Sequence, residues 1–136
     1  MFNRLQQSVW TSLGWTLLIF ILLIIPQEDI PGDDIFSITD FDKLVHAVLF
    51  GVFVWLWANW YRGRGKVQVR NTVTVIITIT ACIYGIAMEF FQKYFTNRQF
   101  DDGDILADII GALAGALIFS WFKKISPYRN RGRNQN

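Results

Sequence analysis

The chain has 136 residues, 52% of them hydrophobic and 16% aromatic, and a net charge of +2 at neutral pH. So apolar a composition excludes an ordinary water-soluble domain of this length, and so small a charge implies neither nucleic acid nor an acidic substrate as partner. A lone cysteine, Cys82, cannot form an internal disulfide and reads as a small buried hydrophobe.

A membrane-crossing helix needs about 20 mostly apolar residues, and four stretches approach that length. The first covers residues 9–25 and is closed by Pro26. Arg4 before an apolar run resembles a secretory signal, but Ile24-Ile25-Pro26-Gln27-Glu28 offers no small-x-small cleavage site, so the segment is expected to stay as an anchor. An acidic connection follows, with a turn marked by Pro31-Gly32. The second stretch covers residues 44–61, where Trp55, Trp57, Trp60 and Tyr61 supply an interfacial belt. The third covers 72–95 and the fourth 105–122. Continuous apolar runs argue against the alternating pattern of a membrane barrel. The expected fold is all-α, a four-helix transmembrane bundle forming one domain over residues 1–126, with a basic, disordered tail at 127–136.

Charge sorts by side. Arg4, the group Arg62, Arg64, Lys66 and Arg70, and the tail with Lys123, Lys124, Arg129, Arg131 and Arg133 fall on alternate connections. Under the positive-inside rule that face, with both termini, is cytoplasmic. Its basic residues act as topology determinants, although they could also attract anionic lipid headgroups. The opposite connections hold Glu28, Asp29, Asp33, Asp34, Asp40, Asp42, Asp101, Asp102 and Asp104, and are expected outside.

Ionisable side chains in hydrocarbon cost about 2.5–3.5 kcal/mol at the centre, so each needs a partner or a purpose. Three helical stripes carry them. Asp42 and His46 are four apart beside Lys43; Gly85, Glu89 and Gln92 share a face; Asp101, Asp104, Asp108, Gly111 and Gly115 form a third stripe. With alternating spans, all three polar ends reach the outer leaflet. Gly111 and Gly115, with Ala107, Ala112 and Ala116, would let a neighbouring helix approach closely. Carboxylates outnumber Lys43, Arg98 and His46, so a dry site must hold a proton or a cation. The expected network has Arg98 bridging Asp101 or Asp104 and His46 meeting Asp42 or Glu89, which would make His46 responsive to external pH. Asp102, Asp29, Asp33 and Asp34 read as solvated charges.

Several chemistries are disfavoured. One histidine and a distant cysteine make a poor zinc hydrolase. Asp101-Asp102-Gly103-Asp104 lacks the order of an EF-hand loop, although calcium or magnesium binding stays open. No second histidine supports phosphohistidine chemistry, Ser37 alone is a weak triad candidate, and no glycine-rich phosphate loop exists. No metal and no cofactor are assigned. Acid-base work by His46 with Glu89 is chemically feasible but has no nucleophile to accompany it, so whether the protein is an enzyme stays open.

Asp42-Lys43-x-x-His46, Gly85-x-x-x-Glu89-x-x-Gln92 and Arg98-x-x-Asp101-x-x-Asp104, followed by Gly111 and Gly115, resemble the VanZ-like family of small membrane proteins. The resemblance runs from Asp42 to Gly115. That family is named for an accessory protein that raises resistance to teicoplanin, a lipidated glycopeptide acting on wall precursors outside the membrane. It implies a cell-envelope role and singles out Asp42, Lys43, His46, Glu89, Gln92, Arg98, Asp101 and Asp104. One departure is Asp108, where the family usually has asparagine. On this reading the site binds or alters an amphiphile or lipid-linked wall precursor. Lys43 and Arg98 orient a headgroup, His46 and Glu89 handle a proton, and Asp101, Asp104 and Gln92 position them. The alternatives are a small proton-coupled transporter or flippase, and a structural or scaffolding membrane protein whose cluster only locks helices.

Overall fold

The computed structural model describes residues 8–25, 39–63, 71–96 and 99–125. They form α1 (Val9–Ile24), α2 (Thr39–Gly63), α3 (Asn71–Phe95) and α4 (Asp102–Ile125), with no strand among the described residues. The basic tail, the connection holding Arg64, Lys66 and Arg70, and the acids from Glu28 to Asp34 lie outside those residues.

Three helices are long and apolar enough to cross a membrane, over Phe41–Arg62, Asn71–Phe95 and Asp102–Phe122. The expected first span is an apolar helix of 16 residues. At about 1.5 Å per residue it falls short of a hydrocarbon core of about 30 Å. It ends where Ile25 turns extended (φ −67°, ψ 124°), because the ring of Pro26 disfavours helical geometry in the residue before it. Both α2 and α4 begin ahead of their apolar runs, so Asp42, Lys43 and Asp104 stand on helix rather than loop.

The packing register follows from backbone contact. A Cβ on Gly111 would overlap the carbonyl oxygen of Ala47, one on Gly115 would overlap that of Gly51, and one on Gly51 would come within 3.1 Å of the Gly111 carbonyl. The pairs 47/111 and 51/115, continued by the edge-on rings of Trp55 and Phe119, advance together, so α2 and α4 run parallel. α3 runs against them, since Tyr84 stacks on Phe53 while Gly85 meets Asp108 and Glu89 meets Asp101. α1 sits on the far side, in contact with α2 and α3 but not α4. Trp15 Nε1 donates to the Leu49 carbonyl (3.0 Å), the Tyr84 hydroxyl to the Thr16 carbonyl (3.0 Å) and Trp57 Nε1 to Thr16 Oγ1 (3.2 Å), pinning α1 in place.

Ile19, Leu23, Phe50, Phe53, Val54, Ala81, Met88 and Ala112 fill the centre. Several polar side chains in the spans return to their own helix, whereas Ser12 Oγ, buried on α1, has no hydrogen-bond partner. Asn59, Thr78, Thr80 and Ser120 each donate to the carbonyl four residues earlier, which removes the cost of a bare donor in lipid.

The seam makes a direct prediction. Gly115→Val should destabilise the bundle by about 1–3 kcal/mol through overpacking against backbone that cannot rotate away. Gly14→Ala, where a Cβ would meet nothing within 4 Å, should not. Denaturant unfolding in detergent, followed by helical circular dichroism, measures both.

Candidate functional site

The polar end of the bundle is built at two helix starts. Asp101 caps α4: its Oδ1 accepts the Gly103 N–H at 2.7 Å, satisfying a donor that the first turn would otherwise leave bare. Its Oδ2 accepts from the Lys43 ammonium at 3.2 Å, which ties the start of α2 to the start of α4. These contacts, first the Gly103 N–H and then Lys43, hold the Asp101 carboxyl below the usual carboxylate range. Asp102 and Asp104, in the first turn of α4, also complement its dipole.

One turn further in, His46 Nδ1 lies 2.9 Å from Asp108 Oδ1, with both residues 1% exposed. An ionised Asp108 accepts from Nδ1–H, leaving Nε2 to face the other acids. Asp104 Oδ2 stands 3.9 Å from Nε2, too long for a hydrogen bond. One ligand atom each from Asp42, His46 and Asp104 falls within 4.8 Å of the others. His46 Nε2, Asp104 Oδ1 and Asp108 Oδ2 are buried and have no hydrogen-bond partner. Buried groups of this kind normally find partners, and each unmade bond costs about 1–3 kcal/mol.

The three expected stripes therefore meet at one end of the bundle, with a different internal pairing. In place of the expected Asp42 or Glu89, the 2.9 Å contact of His46 is to Asp108, with an Asp42 carboxylate oxygen within 4.8 Å of the imidazole. Glu89 is also buried, and its Oε2 accepts the backbone N–H of Asp101 at 3.1 Å. Gln92 turns toward α1, where Nε2 donates to the Leu23 carbonyl at 2.9 Å and satisfies one of the acceptors left over at that helix end. Asp102 is exposed, as a solvated charge should be. Arg98 and its anticipated bridge lie outside the described residues.

Sequence reasoning missed Ala47 and Gly51. Their i, i+4 spacing on α2 matches that of Gly111 and Gly115, and this was the available signal for which helix would pack there. Gly85 matters as well: a Cβ there would come 2.5 Å from Asp108 Oδ2, so its absence makes room for that carboxylate.

An apolar groove of about 420 Å³ lies along the α2–α4 seam, lined by Ala47, Val48, Gly51, Trp55, Gly111 and Gly115 among others. Its lining begins next to His46 in sequence and runs away from the polar end.

The family model described as VanZ/LLP1 matches residues 1–123. The chain belongs to the VanZ/LLP1 family. No curated protein and no solved structure matches it. The VanZ/LLP1 match takes in all three stripes and extends the earlier resemblance through α1.

The cap gives this VanZ/LLP1 chain an acid limit. Because the folded Asp101 carboxyl lies below its ordinary value, its contribution is present above the ordinary carboxylate pKa, about 4. That contribution fades as pH falls through the lower folded value. Asp101→Asn should lower the unfolding temperature at neutral pH and abolish this part of the acid dependence, while Asp102→Asn should leave it intact. Thermal unfolding in detergent between pH 7 and pH 2 checks both.

Proposed function

We propose that this VanZ/LLP1 membrane protein serves the cell envelope, binding or altering an amphiphile or lipid-linked wall precursor at an extracytoplasmic polar site. The observation that carries the reading is a buried polar cluster with unpartnered atoms placed beside an apolar groove in the membrane-spanning region. A molecule with a charged head and an acyl chain presents the same two chemistries in the same order. The chain would lie against the α2–α4 seam, where it exchanges lipid contact for protein contact at little cost. The head would reach the helix starts, with Lys43 and Arg98 orienting it and His46 and Glu89 handling a proton.

A cluster used only to lock helices would be expected to satisfy its own atoms, and this one leaves three without partners. A transporter needs polar groups continuing toward the other face. Here Asn59 and Thr78 are spent on their own helices, which favours a site at one end.

Orientation and role are separable by experiment. In a Cys82→Ser background, Asp102→Cys should react with a membrane-impermeant maleimide added outside intact cells; labelling only after permeabilisation would reverse the assignment. In cells whose teicoplanin susceptibility depends on this protein, His46→Ala and Glu89→Ala should abolish the phenotype at normal protein accumulation. Loss of accumulation in step with the phenotype would favour the helix-locking role.

A further inference from the structure

We infer that Asp42, His46 and Asp104 form a binding site for a borderline divalent transition-metal ion, such as Mn2+ or Zn2+, with Asp108 orienting the imidazole. The sequence alone assigned no metal, and the inference needs neither the outward orientation nor an amphiphile.

The decisive feature is what His46 does with its two nitrogens. Nδ1 is committed to Asp108 at 2.9 Å, and Nε2 is buried, unpartnered and 3.9 Å from Asp104 Oδ2. A protonated imidazole donating directly to that carboxylate would close to about 2.7–2.9 Å. Two ligands sharing one ion with bonds of 2.0–2.2 Å stand about 3.4 Å apart, so only a small contraction separates the present spacing from coordination. Asp42 brings a second carboxylate into the same 4.8 Å group, and Asp104 Oδ1 is a further buried acceptor with no partner.

The His46–Asp108 pair supplies the other half of a metal site. Metal-binding histidines commonly donate their second ring N–H to a carboxylate, which fixes the tautomer and raises the basicity of the coordinating nitrogen. Charge agrees. Asp104 and Asp108 each keep one buried carboxylate oxygen without a hydrogen-bond partner, a demand that a cation would meet. One imidazole with two carboxylates suits Mn2+ and Zn2+ better than Mg2+ or Ca2+, which prefer all-oxygen sites. Three protein ligands leave coordination positions for water or an anionic oxygen.

The test uses the full chain in detergent, stripped with chelator and titrated with Mn2+ under electron paramagnetic resonance. One tightly bound Mn2+ per chain is expected, with pulsed spectra showing coupling to a single imidazole nitrogen, and Zn2+ should displace it where equimolar Mg2+ does not. His46→Gln should lose the nitrogen coupling and bind at least about tenfold more weakly. Asp108→Asn should retain the coupling with affinity lowered by about 10–100-fold, and Asp102→Asn should change neither. Absence of stoichiometric uptake, or bound Mn2+ without nitrogen coupling in the wild-type chain, overturns the site. So does an Asp102→Asn variant weakened as much as His46→Gln. Because the coupling is read on the wild-type chain, a variant that fails to fold still leaves the question decided. A metal-binding chain without an envelope phenotype would refute the proposed role and leave the metal site standing.

Discussion

Two backbones touch where α2 and α4 cross, and the rest of the molecule is arranged around that contact. Gly111 faces the Ala47 carbonyl and Gly115 the Gly51 carbonyl, with no room for a side chain. In lipid there is no hydrophobic gain from helix association, so close van der Waals approach of small residues is what holds such a pair together. The approach also sets register. Fixing 47 against 111 places Lys43 beside Asp101 and His46 beside Asp108, because both helices run the same way and start at the same end. Aromatic packing continues the seam at Trp55 and Phe119.

Such a contact carries an electrostatic penalty. Bringing α2 and α4 together removes water from His46, Asp104 and Asp108, and Gly85 on α3 completes the enclosure. Some of the resulting demand is met by fixed groups: Lys43 and the first turn of α4 satisfy Asp101, and the Asp101 N–H serves Glu89. The remainder, at Nε2 of His46 and one oxygen each of Asp104 and Asp108, is unmet. Of the buried side-chain atoms without a partner among the described residues, Ser12 Oγ lies on α1 and the other three gather at this point, and that gathering is what the proposed site rests on. A divalent ion and the headgroup of an amphiphile are compatible occupants, since an ion with open coordination positions can hold an anionic oxygen.

The residues of the motif divide by their contacts. Asp101 and Gln92 were grouped by motif with His46 and Glu89, yet their contacts are those of supports: one caps α4, the other satisfies the end of α1. Asp108, which the resemblance left outside the motif, lies 2.9 Å from the ring of the only histidine.

The linear sequence determined that the chain is helical and suited to a bilayer, because long apolar runs and their proline and charged boundaries are local properties. It also determined that the acidic stripes fall on single helix faces, since spacings of three and four need nothing beyond one helix. It left open which carboxylate would meet His46, because partner choice depends on rotation and register between helices, and these are set by backbone contacts at Gly51, Gly111 and Gly115. The apolar runs mark the spans, and α2 and α4 begin ahead of them. Polar residues such as Asp42 and Asp104 end an apolar run without ending a helix, and only the packed structure supplies the caps and partners that let α2 and α4 extend through them.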